Sequence, residues 1–160
     1  MVRNYYKAET YEARKSIGYL LRRGRNLLTA QVEALFNEKA SETGINYVQW
    51  VILMCLRDGL ATTSAEISQY VCYDSGALTR VIDQMEKRKL LKRKRSLIDR
   101  RVITLHLTAA GRKTVEALIV LVVDYYNDML ADFSREETDV LITLLTRVVD
   151  RLSDSSKVRH

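Results

Sequence analysis

Apolar residues recur every third or fourth position over most of this chain, and every second position over one short stretch. From about residue 12 to 39, Ile17, Leu20, Leu21, Gly24, Leu27, Leu28, Val32, Leu35 and Phe36 keep helical spacing. Arg14, Lys15, Arg22, Arg23, Arg25, Glu33 and Glu38 occupy much of the remainder. At ~1.5 Å per residue this helix is on the order of 40 Å long. A chain of 160 residues does not need so long an element to cover itself, so part of the stripe is expected to meet another subunit.

Local end signals divide the rest. Asn46 with Gln49 reads as a capping box opening a helix that carries Val48, Val51, Ile52, Cys55 and Leu56 and stops near Gly59. Thr63 with Glu66 opens a short helix to about Tyr70, and Asp74 caps another from 75 to about 88 through Leu78, Val81, Ile82 and Met85. Two short helices and a tight junction read as a helix-turn-helix. From Leu91 to Arg95 and from Val102 to Leu107 the period falls to two, predicting strands joined as a hairpin by Ser96–Arg101. Thr108 caps a helix to about 131, and Ser134 with Glu137 opens a last one through Leu152. The polar tail from Ser153 to His160 is expected to fray. The fold class is therefore mainly α with a small β-hairpin. Residues 46–108 form one lobe, and 10–45 plus 109–153 form a helical region.

Composition agrees. There is no proline, and glycine occurs six times, as suits long helices rather than a barrel or sandwich. The net charge of +6 is unevenly spread. From Lys87 to Arg101 there are nine basic residues and one acid, whereas the remainder holds 17 basic and 19 acidic residues. All the positive excess thus sits in one stretch, which suits a polyanion partner. Cys55 and Cys72 stand apart with no metal-ligand or disulfide spacing, and reduced thiols point to the cytoplasm. No signal peptide or membrane-crossing run is seen, so no membrane partner is expected. Only His106 and His160 are present, and no phosphate loop, metalloprotease motif or paired carboxylates appear. An enzyme, a metal site and a cofactor are not expected.

The stretch Tyr47-Val48-Gln49-Trp50, the run Ser75 to Glu86, the triplet Asp99-Arg100-Arg101 and Leu107-Thr108-Ala109-Ala110-Gly111 resemble, in this order, the multiple-antibiotic-resistance regulator (MarR) family. The resemblance covers roughly residues 15–150. It implies a winged helix-turn-helix set in a helical dimerisation frame. The implied function is a homodimeric transcription factor, usually a repressor, that binds a palindromic DNA operator and is relieved by small phenolic or other aromatic ligands.

The residue chemistry fits that implication. A helix entering the major groove needs small and polar side chains in its first turns, as Ser75, Gly76, Ala77, Thr79 and Arg80 supply. Arg80 suits either a guanine or a phosphate. Asp74 reads as a cap rather than a base reader. Thr63 and Ser64 open a helix whose N-terminus favours phosphate. Arg100 and Arg101 stand at the hairpin tip, suited to the minor groove, and Asp99 is expected to hold Arg101 and so shape the wing. Lys92, Arg93, Lys94 and Arg95 alternate between strand faces, so about half can point at one DNA backbone. Lys87, Arg88 and Lys89 suit either a helix end or DNA. Two copies must hold their reading helices about 34–36 Å apart to meet successive major grooves.

Tyr19, Arg23, Tyr47, Trp50 and Met54 are candidates to line a ligand pocket, with core and dimer packing as the other reading. Peroxide-sensing members of the family use a cysteine near the first helix, and none is present there. A redox-responsive regulator acting through Cys72 is one alternative function. A winged-helix protein-interaction module without DNA binding is another.

Overall fold

The computed structural model describes residues 5–40, 43–71, 74–96 and 99–157. In chain order these form α1 (Ile17–Lys39), α2 (Tyr47–Asp58), α3 (Ser64–Val71), α4 (Ser75–Lys87), β1 (Leu91–Arg95), β2 (Ile103–Leu107), α5 (Ala109–Met129) and α6 (Arg135–Lys157). The fold is mainly helical, with one antiparallel hairpin.

The ends of the elements follow local chemistry. Asn46 and Gln49 close a reciprocal capping box at α2, and Gly59 ends that helix in the left-handed region with φ 67°. Ser134 Oγ accepts from the Glu137 N–H at 3.2 Å while Glu137 accepts from the Ser134 N–H at 2.9 Å, so α6 opens on a second box.

Two boundaries differ from the periodic pattern. α1 begins at Ile17, not near residue 12, and two single 3-10 turns, Ala8–Thr10 and Ala13–Lys15, precede it. Ser16 is the cause. It is extended, and its Oγ accepts from the Tyr19 N–H at 3.2 Å. The Tyr6 hydroxyl accepts from the Ile17 N–H at 2.9 Å. Two orphan amides of the first turn are thus satisfied from outside the helix. Twenty-three residues make α1 about 35 Å long. At the other end, α6 continues to Lys157, where fraying was expected from Ser153 onward. The Ser153 hydroxyl donates to the Val149 carbonyl at 3.0 Å, which keeps the polar side chain within the helix.

The chain divides into two compact units, Met1–Ile119 and Val120–His160. The boundary falls within α5, so α1 and the first part of α5 belong with residues 46–108. The first unit buries Val32 and Phe36 of α1, Ile52, Leu53 and Cys55 of α2, and Ile67 of α3. Leu78, Ile82 and Met85 of α4, Leu91 and Leu105 of the hairpin, and Val115 of α5 complete that core. β1 and β2 pair from Leu91 opposite Leu107 to Arg95 opposite Ile103. The Leu105 N–H also donates to the Thr62 carbonyl at 2.7 Å, tying the hairpin to the segment before α3.

Gly111 explains the close seating of α5 in this unit. A Cβ at that position would stand 1.9 Å from the Leu90 carbonyl oxygen, so only glycine allows the approach. Thr108 secures the same joint. Its Oγ accepts from the Gly111 N–H at 3.0 Å and donates to the Lys89 carbonyl at 2.6 Å, and its own N–H donates to the Leu90 carbonyl at 3.1 Å. In the second unit, Val122 is buried. Along α6, Val140, Leu141, Leu144, Leu145, Val149 and Leu152 are all exposed at helical spacing.

Candidate nucleic-acid interface

α4 buries one face and presents another. Leu78, Ile82 and Met85 are fully buried, while Ser75, Gly76, Thr79 and Arg80 are exposed and Ala77 is half-buried. Asp74 caps the helix, accepting from the Gly76 N–H at 2.9 Å and the Ala77 N–H at 3.1 Å. Its carboxylate is thereby held by the helix start, as its type suggests. The Thr79 hydroxyl donates to the Ser75 carbonyl at 2.9 Å, so its proton turns inward. Gln84 and Lys87 are exposed too and continue the line 76, 80, 84, 87 at helical spacing. Of these four, Gln84 is the one that the sequence does not single out. The four-residue step from Arg80 to Gln84 was the available signal, and an amide there can pair bidentately with adenine.

At α3, Thr63 and Ser64 are half-buried. The Thr63 Oγ accepts from the Glu66 N–H at 3.2 Å. The Glu66 carboxylate accepts from the N–H of Thr62 at 2.7 Å and of Thr63 at 2.9 Å. Those two backbone bonds, Thr62 first, hold the Glu66 carboxyl below the usual glutamate range. A negative side chain thus already occupies the Thr62 and Thr63 amides just ahead of α3.

The hairpin sorts its four consecutive cations. Arg93, half-buried, pairs with Asp83 of α4 through Nη2 at 2.7 Å and with Glu86 through Nη1. The Arg93 N–H also donates to Glu86 at 2.9 Å, and this bond first, then the guanidinium, holds the Glu86 carboxyl low. Arg93 therefore braces the hairpin against α4, paired with Asp83 and Glu86, whereas it was expected among the DNA contacts. Lys92, Lys94 and Arg95 are exposed. Lys92 and Lys94 lie opposite His106 and Thr104 on the other strand face.

At the hairpin tip, Leu97 and Ile98 lie outside the described residues. Asp99 is central to what is described there. Its Oδ1 accepts from the Arg101 N–H at 2.9 Å, its carbonyl accepts from the Val102 N–H at 2.9 Å, and its N–H donates to the Ser96 Oγ at 3.3 Å. Asp99 therefore shapes the turn through the Arg101 backbone rather than the guanidinium. Arg100 and Arg101 are exposed.

The five candidate pocket residues do not gather in one place. Tyr19 and Arg23 hydrogen-bond to each other at 3.0 Å on the surface of α1. Trp50 is buried against Phe36 and Tyr47, with ring centroids 5.5 and 6.2 Å apart, and Met54 is half-buried in α2. A cleft of about 430 Å³ opens instead between α1, α2 and the end of α3, lined among others by Arg25, Glu33, Tyr47, Val51 and Tyr70. Tyr47 is the expected residue that reaches it. Cys72 lies outside the described residues. Cys55 is buried, and that burial, followed by the Asp58 charge, pushes its thiol up. No grouping of metal-ligating side chains occurs among the described residues.

Comparison with known proteins bears on this geometry. Residues 45–103 match the model of the MarR family. The chain is 23% identical over 140 residues to the transcriptional repressor NicR of Pseudomonas putida, covering 88% of this chain and 86% of that protein. It is 26% identical over 125 residues to the multiple antibiotic resistance protein MarR of Escherichia coli, covering 78% and 87%. The structure of Bordetella bronchiseptica BpsR, whose DNA binding is regulated by 6-hydroxynicotinic acid, superposes with a TM-score of 0.66 at 25% identity, covering 88% of this chain and 97% of that one. The matched residues span α2 to the first residue of β2, the segment that holds the helix-turn-helix and most of the hairpin, and over that segment this chain is similar to the MarR family of transcriptional regulators.

Proposed function

We propose that this protein is a cytoplasmic homodimeric repressor that binds a palindromic DNA operator and releases it in response to a small aromatic or phenolic ligand. The observation that carries the reading is the pairing of α4 with a cationic wing. α4 is anchored by Leu78, Ile82 and Met85 and exposes Ser75, Gly76, Thr79 and Arg80, while Asp99 builds a wing tip that leaves Arg100 and Arg101 free to solvent. α4 enters the major groove, with Ala77 allowing close approach. Arg100 and Arg101 enter the adjacent minor groove. Lys92 and Lys94, on one face of β1, and the hydroxyls of Thr63 and Ser64 follow the phosphates. Arg93 keeps wing and reading helix together.

A second copy accounts for the exposed apolar side chains of α6 and of α1, where Ile17, Leu20 and Leu27 are also exposed. The regulation of BpsR by a hydroxylated aromatic acid supports a ligand of that class, and the cleft beside Arg25 and Tyr47 has the volume of a small-molecule site. Among the described residues no helix is long and apolar enough to cross a membrane.

Selection of bound fragments from random duplexes, followed by anisotropy titration across salt, tests the reading. The expected result is an enriched inverted repeat with affinity falling steeply as salt rises. Arg101→Ala lowers affinity and flattens the salt slope by about 1.8, about 0.9 for each protomer of the dimer. Arg80→Ala also changes the preferred bases. Enrichment of nothing at low ionic strength would overturn the reading.

A further inference from the structure

We propose that Arg88 is a positioning residue for DNA recognition, tying the C-terminal end of α4 to the turn that follows α1. This rests on the DNA-binding reading above and adds how the reading helix is held. By charge alone Arg88 belongs with the cations of the wing. Its geometry gives it another task. Arg88 is the C-cap of α4, and its Nη1 donates to the Gly44 carbonyl at 2.6 Å and its Nη2 to the Thr43 carbonyl at 2.8 Å. One guanidinium thus joins two points more than 40 residues apart in the chain.

The receiving turn is built for this contact. Gly44 has φ +61°, and a Cβ there would stand 3.4 Å from Arg88 Nη2. Glycine supplies the left-handed backbone that presents both carbonyls, and a Cβ would meet the guanidinium only at ordinary van der Waals distance. Thr43 is itself fixed, with its N–H and Oγ donating to the Ala40 carbonyl at 3.0 and 2.7 Å. Its Oγ also accepts from the Ile45 N–H at 3.2 Å, next to the Asn46 cap of α2. The turn is therefore anchored to both α1 and α2. α4 is held at its start by Asp74, a local cap, and at its end by Arg88, a long-range one. A planar fork of donors suits two neighbouring carbonyls, and a lysine ammonium does not reproduce it.

Without the tether α4 keeps its buried anchors Leu78, Ile82 and Met85 but loses the contact that fixes its C-terminal end, and part of the population no longer seats in a groove. Apparent affinity falls by the fraction of molecules that remain competent, so a tenth competent means about tenfold weaker binding. Arg88→Gln, Arg88→Lys, Gly44→Ala and the double variant Gly44→Ala/Arg88→Gln are titrated against the selected duplex across salt. Amide deuterium uptake at 43–47 is followed in the DNA-free proteins. The proposal expects Arg88→Gln and Arg88→Lys to bind about tenfold more weakly with the parental salt slope. It expects faster exchange at 43–47 while α2 keeps its protection, and a double variant no weaker than Arg88→Gln alone. A phosphate contact predicts the opposite: lysine restores affinity, and glutamine flattens the slope by about 1.8, about 0.9 for each protomer. That result, or unchanged exchange at 43–47, overturns the tether. A parent that binds no duplex overturns the DNA-binding reading itself, whereas a parent that binds beside an equally tight Arg88→Gln overturns only the role given to Arg88.

Discussion

Replacing Gly111 by alanine puts the packing account to a quantitative test. In an open helix that change stabilises by about 0.5–1 kcal/mol, because alanine loses less backbone freedom on folding. Here the added Cβ would lie 1.9 Å from the Leu90 carbonyl oxygen and 3.1 Å from the Leu107 Cδ2. An ordinary contact to that oxygen is about 3.3–3.6 Å even when a weak C–H hydrogen bond helps. The start of α5 must therefore move by more than an ångström from Leu90. That movement breaks the bonds from the Thr108 N–H to Leu90 and from the Thr108 hydroxyl to Lys89, 3.1 and 2.6 Å long. Overpacking costs about 1–3 kcal/mol. Two lost hydrogen bonds add about 0.5–1.5 kcal/mol each. After the gain in helix propensity, a net loss of about 1–5.5 kcal/mol follows from these terms. Urea unfolding of parent and variant at one fixed protomer concentration measures it, since a dimer's midpoint depends on concentration. A midpoint equal to or above the parent's would refute the reasoning, because then the Leu90 carbonyl is not where the clash requires it.

Lys89 holds φ 58° at the end of α4, a conformation costly for a residue with a Cβ, so Lys89→Gly is expected to raise stability by up to about 1 kcal/mol in the same assay; a loss would argue against the left-handed cap. Glu66 and Glu86 both titrate below the usual range in the folded chain, the first through the Thr62 and Thr63 N–H groups, the second through Arg93. Their contribution is therefore complete above the unfolded glutamate value of ~4.3 and is lost as pH falls through the lower folded values. Glu66→Gln and Glu86→Gln should accordingly lose less stability than the parent as pH falls below the unfolded glutamate value of ~4.3, and parallel losses would acquit both carboxylates. In a Cys72→Ser background, the buried Cys55 thiol should resist a disulfide reagent until the protein is unfolded; prompt labelling of the native form would contradict its burial.

Local chemistry made much of this fold readable. The caps at Asn46, Thr63, Asp74, Thr108 and Ser134 use side chains two or three residues from the amides they satisfy, so spacing alone reveals them. The start of α1 was hidden because Ser16 and Tyr6 work against a continuing apolar period, which favours a longer helix. Among the cations, alternation along β1 shows that half must face each way but not which half. The choice is made by Asp83 and Glu86, one turn apart on α4, which draw Arg93 inward. Arg88 was open for the same reason. Its partners are backbone carbonyls at 43 and 44, and a carbonyl leaves no trace in a residue pattern. The cleft likewise forms where α1, α2 and α3 converge, so Arg25 rather than Arg23 reaches it, a difference set by helix rotation.

Hydroxyl-radical footprinting of the protein on its selected duplex tests the central claim most directly. Two copies of α4, each flanked by an arginine wing, predict two protected patches centred about 10–10.5 base pairs apart on one side of the DNA, both lost in an Arg80→Ala/Arg101→Ala variant. A single patch, or protection that survives that variant, would contradict the account.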